Sequence, residues 1–277
     1  GWKLPIPIKH SSECRWSKIT PYLLYYIEGN ELKYIYISDF NNTGVIHKFI
    51  EHPFISGRGE SDISEDGDHF VFSYERHIFV YEISTYKIIL EFKAPWDFNG
   101  LYITPNNNVL VSAPAGVWLK KLNSSWEQIT TVMGHMDICR DKNGDEILLW
   151  AAANSPKDDL ICPNGFMKIN LNTGKEECLI SLGYSKKNRP THWAAHVSCS
   201  DIGTALISTY TPFDPSNVES LSNNLILIDI NTGKYTDLGR HNSNASIYER
   251  QPKAAISSDG IRIIYTKNED SIIQILS

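Results

Sequence analysis

Along this chain the apolar positions come in short runs rather than in a helical stripe. FVFSY, IFVYEI, LILIDI and IRIIYT are rich in β-branched and aromatic residues, the composition that suits a pleated strand packed on its faces. Between such runs stand polar corners, SEDGD, PNNNV, KNGDE and SSDGI. Their Asp-Gly and Asn-rich pairs accept the positive φ of tight turns. Asn172-Thr173-Gly174 and Asn231-Thr232-Gly233 make the same kind of corner for an outer hairpin. No segment keeps its apolar residues at a 3.6-residue period, so helices are expected to be few.

Runs and corners recur as a unit. Copies begin at Cys14, Ser61, Leu101, Asp137, His196 and Lys253, with anchor turns near Ser17, Ser64, Thr104, Arg140, Ser200 and Ser257. Most of the intervals are close to one propeller blade of ~40–50 residues. The last two are longer because the fourth and fifth copies carry insertions between their middle strands. A four-stranded sheet cannot cover both of its faces alone, whereas radial stacking of such sheets does. The expected fold class is all-β: a β-propeller with six recognisable blade repeats, six or seven blades in all, as a single domain over residues 1–277. The opening WKLPIPIKH is expected to add a strand to the last blade. A β-sandwich pair is the alternative arrangement.

Composition and charge narrow the function classes. The formal net charge is -6 at pH 7, which argues against nucleic-acid binding, since that needs a basic face. No run approaches the ~20 apolar residues of a bilayer span, and no signal peptide is visible. A soluble protein without membrane insertion is expected, in an unknown compartment. Cys14, Cys139, Cys162, Cys178 and Cys199 show no C-x-x-C spacing. They read as buried thiols rather than as a disulfide framework or a zinc site. Sequons at Asn41, Asn123 and Asn244 matter only in a eukaryotic secretory pathway. The chain has no Gly-rich phosphate loop, no G-x-S-x-G and no H-E-x-x-H.

Candidate chemistry gathers at one position of the repeat. His135, His192 and His196 precede or open the inner strand of a blade, and Arg240, His241 and Gln251 are assigned the same place. In successive blades such positions converge on one mouth of the axial channel. A guanidinium such as that of Arg240 grips a carboxylate through two parallel hydrogen bonds, and the neighbouring His241 can add a third. His192 and His196, four residues apart, would form a metal clip on a helix, but here they lead into a strand. For His135 with Asp137 the plainer reading is a brace between blades. Tyr210 and Tyr248 are candidates for a general acid or a sugar-stacking group, or for packing, in a chain with 14 tyrosines.

The corners S-E-D-G at 64–67 and S-S-D-G at 257–260, each followed by an apolar run, resemble the blades of TolB-like and WD40-like propellers. The second half carries, in order, G-H-M-D (134–137), H-V-S-C (196–199), S-T-Y (208–210), R-H-N-S (240–243) and Y-E-R-Q-P (248–252). These look like a bacterial group of TolB-like propellers related to oligogalacturonate lyase and other propeller polysaccharide lyases. The resemblance implies β-elimination on an acidic polysaccharide or oligosaccharide containing uronate. It implies catalytic roles for His135, His196, Tyr210 and Arg240, and substrate contacts from His192, Arg240 and Tyr248. For a divalent metal, with Mn, Ca and Zn all open, it implies His196, His241 and Gln251 as ligands. At one point the chain departs from the pattern. A histidine ligand is expected shortly after the glutamine of the last motif, and Pro252 and Lys253 stand there. A non-catalytic propeller that binds glycan or a protein partner is the rival expectation, since fold alone does not choose between them.

Overall fold

The computed structural model describes residues 2–3, 14–49, 61–121, 124–132, 134–152, 156–181, 194–200, 203–210, 221–244, 250–267 and 270–275. The architecture is an all-β propeller, its described strands pairing into six antiparallel four-stranded sheets. The chain divides into two compact units, Ser12–Met133 and Gly134–Ser277 with Gly1–Ser11.

The unit Ser12–Met133 holds three sheets in chain order. The first comprises β2 (Arg15–Trp16), β3 (Leu23–Glu28), β4 (Glu31–Tyr36) and β5 (Asp39–Lys48). The second comprises β6 (Ser61–Ile63), β7 (His69–Tyr74), β8 (His77–Glu82) and β9 (Lys87–Lys93). The third comprises β10 (Gly100–Ile103), β11 (Val109–Ala113), β12 (Gly116–Lys120) and β13 (Trp126–Thr130).

The unit that contains the candidate site repeats the scheme. Its sheets are β14 (Met136–Arg140), β15 (Glu146–Ala151), β16 (Phe166–Asn170) and β17 (Glu176–Ile180); then β18 (Ala194–Cys199), β19 (Thr204–Tyr210), β20 (Asn224–Asp229) and β21 (Tyr235–Arg240); then β22 (Ala255–Ile256), β23 (Arg262–Lys267) and β24 (Asp270–Ile275). The opening strand β1 (Trp2–Lys3) completes the last sheet beside β24, as its place in the sequence suggested.

Burial follows strand position. In β15 every residue is buried, whereas β9 and β21 are largely exposed. β15 is covered on both faces, so it reads as an unbroken apolar run instead of an alternating one. Between the β14 and β18 sheets the core contains Leu149, Phe166, Ile207 and Ile226. Between the β18 and β22 sheets it contains Leu206, Ala254, Ile263 and Tyr265.

The anchor turns hold themselves together through side-chain oxygens. Ser64 Oγ accepts from the His69 N–H at 2.9 Å, and Ser257 Oγ accepts from the Arg262 N–H at 2.9 Å. Inner strands of adjacent sheets are also latched by side chains reaching across. Asp137 accepts from its neighbour Ile138 N–H at 2.9 Å and from Cys199 N–H on β18 at 2.7 Å. Asp62 does the same with Ile63 at 2.8 Å and Ile103 at 3.1 Å. Ser198 Oγ takes the Ile256 N–H at 3.1 Å. The brace expected of His135 with Asp137 is made by the Asp137 carboxylate and the backbone of the next sheet, with no part for the His135 ring in these two bonds.

One reading of the sequence needs correction. Four of the five cysteines are not thiols: Cys139 pairs with Cys199 and Cys162 with Cys178. Cys139 and Cys199 occupy the same place in the fourth and fifth repeats, each just before its anchor turn. Stacking the two inner strands brings their Cα atoms to 5.2 Å, inside the range a disulfide spans. Cys14 is buried and lies outside both bridges. The insertion of the fourth repeat carries one short helix, α1 (Pro156–Ile161), among the described residues, in line with the expectation of few helices. Proline at its start and Asp158 and Asp159 in its first turn suit a helix N-terminus.

Candidate functional site

Three segments that lead into or open inner strands meet in the unit Gly134–Ser277. His135 precedes β14, His196 lies on β18, and Gln251 and Lys253 precede β22. The His135 and His196 rings are 4.0 Å apart between centroids, tilted by 48°. His196 Nε2 donates to Gln251 Oε1 at 3.0 Å. Tyr210 stacks on the same imidazole at 5.2 Å and 19°. The sheet register explains that stack. His196 lies opposite Ser208 and Ala194 opposite Tyr210, so the tyrosine is the diagonal neighbour of the histidine on one face of an antiparallel pair. Ser208 Oγ also accepts the Ala254 N–H at 3.2 Å, tying the segment before β22 to the same spot.

This is a confined polar cluster with one cation. His196 is 8% exposed and Lys253 is 4% exposed. Burial holds the His196 imidazole well below its usual range, with His135 and Lys253 adding to the effect and the Gln251 bond opposing it. Burial, and then the Lys253 ammonium, bring His135 down to about 4. Both imidazoles are therefore neutral at pH 7, and Lys253 lies close enough to lower the basicity of each. Lys253 has φ +38°, a left-handed backbone that costs a residue with a Cβ roughly 1–2 kcal/mol. The segment is held there in part by the Thr266 N–H donating to the Pro252 carbonyl at 2.8 Å.

The depressed imidazoles have a consequence for stability. In the unfolded chain His135 takes up a proton near pH 6.5, and in the folded chain only near pH 4. Between those values the unfolded state binds more protons, so stability falls as pH falls and is fully present above about pH 7. Carboxylates held low by hydrogen bonds, such as Asp66 and Asp259, lose their contribution only below their ordinary value of 3.8. Thermal melts of the wild type should drop by a few °C more than those of His135→Gln between pH 7 and pH 4.5. Parallel curves would contradict the placement of His135.

The remaining sequence candidates fall elsewhere. Arg240 ends the outermost strand β21, opposite Asn224, and its side chain is exposed. The expectation that it opens an inner strand beside His196 is corrected, because Arg240 closes an outer strand and thirteen residues still lie between it and Ala254, just before β22. His241 is buried with both ring nitrogens engaged. Nε2 donates to the Thr209 carbonyl at 2.9 Å, and Nδ1 accepts from the Ser243 N–H at 3.0 Å. It is a brace between backbone segments, not a metal ligand as expected. His192 and Tyr248 lie outside the described residues. Sequence reasoning treated Lys253 only as a missing ligand, although its place two residues after Gln251 was the signal that it shares the cluster.

A divalent metal does not fit the residues present. Gln251 Oε1 is occupied by His196, His241 is spent on the backbone, and Lys253 brings a positive charge to the same imidazoles. Among the described residues no group of three His, Cys, Asp or Glu side chains could hold a metal ion. No helix among them is long and apolar enough to cross a membrane.

No family model matches the chain, and no curated protein matches its sequence. Solved structures match its fold. An oligogalacturonate lyase in complex with manganese aligns with a TM-score of 0.58 at 12% identity, covering 92% of this chain and 74% of that one. The oligogalacturonate lyase of Vibrio parahaemolyticus aligns at 0.56 and 12%, covering 94% and 75%. TolB from Acinetobacter baumannii aligns at 0.55 and 14%, covering 95% and 62%. At these identities the likeness is one of fold.

Proposed function

We propose that this propeller, each of its sheets serving as one blade, takes uronate-containing polysaccharide or oligosaccharide at the His135–His196–Gln251–Lys253 cluster and cleaves it by β-elimination. The observation that carries the reading is the packing of the His135 ring on His196, with Tyr210 stacked on His196 and the nearly buried Lys253 two residues after the Gln251 that binds His196. Elimination from a uronate needs a positive charge at the carboxylate, to acidify the C5 proton, and a neutral base to remove it. The proton passes to the imidazole, the C5–H electrons form the C4–C5 double bond, and the C4–oxygen bond to the leaving sugar breaks, its electron pair staying on the oxygen, which takes a proton from water to leave as a hydroxyl. His135 is the base in this reading, being partly exposed where His196 is buried and bound to Gln251. His196 and Tyr210 position it. The two oligogalacturonate lyase neighbours lend the reading support through shared fold alone.

A second reading is binding without cleavage, favoured by the low basicity of both imidazoles, since a general base works best with a pKa near the working pH. Incubation with polygalacturonate and other uronate polymers, followed by ultraviolet absorbance of the unsaturated product, separates the two. Cleavage is expected, and His135→Ala should slow it by about 100-fold or more. Binding with no absorbance would leave the second reading, and neither binding nor absorbance on a broad panel would end both. The two disulfides support maturation in an oxidising compartment, and we place the protein there.

A further inference from the structure

We propose that the Lys253 ammonium neutralises the bound carboxylate at this site, so that ligand binding needs no divalent cation. The inference rests on the uronate reading and specifies what supplies its positive charge. Lys253 is almost wholly buried, and its segment is tied to the β18 sheet through Gln251 on His196 and Ala254 on Ser208. An ammonium in that place occupies the electrostatic role a metal would fill. A compact point charge on a flexible stem suits a single carboxylate oxygen. The left-handed backbone at Lys253 fits this role, because strained non-glycine residues persist where the surrounding structure holds them and they cluster at ligand sites. Burial is the main cause of the low basicity of both imidazoles, and the Lys253 charge adds to it.

The site should therefore prefer the free acid to its ester, and should be indifferent to chelators. Calorimetric titration with trigalacturonate at fixed ionic strength, in EDTA and then with added Mn²⁺, reads this directly on the wild-type protein. Equal affinity in the two conditions is expected. Lys253→Met should weaken binding by about 30-fold or more, the usual scale for removing one partner of a buried charge pair, while Lys253→Arg keeps most of the affinity. Fully methyl-esterified trigalacturonate should bind weakly, and equally to the wild type and Lys253→Met. Binding by the wild type that disappears in EDTA and returns with Mn²⁺ would overturn the inference and leave the uronate reading standing. Undiminished binding by a folded Lys253→Met would do the same. Failure of the wild type to bind trigalacturonate or any other uronate oligomer, with or without metal, would instead remove the uronate reading, and the inference with it.

Discussion

Opening the Cys139–Cys199 bridge, by reductant or by the double substitution Cys139→Ser with Cys199→Ser, is expected to lower stability by up to about 4 kcal/mol. The bridge joins residues 60 apart in sequence, against 16 for Cys162–Cys178. The longer loop restricts the unfolded chain more, and the shorter one is worth about 3 kcal/mol on the same scale. The two also act differently in the folded state. Cys139 and Cys199 tie β14 to β18, the inner strands that carry the approach to His135 and His196 itself, whereas Cys162 and Cys178 hold the end of the fourth-repeat insertion to β17. The expected loss for the first pair corresponds to a fall in Tm on the order of 10 °C. Melting curves of the wild type with and without dithiothreitol, compared with the Cys139→Ser/Cys199→Ser protein, measure it. A melting curve unchanged by reduction, with thiol titration confirming that the bonds had opened, would show that the stacked sheets need no staple.

Trp150→Ala should cost about 3–5 kcal/mol, the range for emptying a large aromatic site in a core. Trp150 is fully buried in the middle of its sheet, opposite Met136 on β14 and Met167 on β16. Its indole Nε1 donates to Asp158 Oδ2 on α1 at 3.0 Å, and Asp158 is 1% exposed. The alanine variant loses the packing and also withdraws a donor from a buried carboxylate. Trp150→Phe keeps most of the apolar contact and should cost only about 1–2 kcal/mol, the share of the hydrogen bond. Chemical denaturation of the two variants separates those shares. Because Met136 directly follows His135, the alanine variant should also loosen the His135–His196 pair and weaken uronate binding. Equal losses for Ala and Phe would place the whole effect in the hydrogen bond and contradict the packing argument.

The turns and strands were legible because they obey local rules. SEDGD and SSDGI form the corners their residues call for, with Ser64 and Ser257 closing them, and the unbroken apolar run EILLWA is the fully buried middle strand β15. The His135, His196 and Gln251 meeting followed from repeat phase, since residues at the same phase of successive repeats reach the same end of their sheets. Arg240 was misplaced for the same reason in reverse. Asn231-Thr232-Gly233 starts the outer hairpin, so residues 235–240 had to be the outer strand, and Arg240 its end. The cysteines carried a signal too, because Cys139 and Cys199 share one phase in adjacent repeats, but C-x-x-C spacing could not show it.

Strand, corner and repeat length are matters of neighbouring residues, and the order of amino acids was enough to settle the all-β class. Which side chains touch is another matter, because contacts such as Cys139 with Cys199, Asp137 with the Cys199 amide, and His196 with Gln251 bridge segments encoded tens of residues apart. Their energies depend on distance and burial, which exist only once the sheets have stacked. That is why His241 proved to be a backbone brace, and why a lysine that looked like a lost ligand became the charged centre of the candidate site.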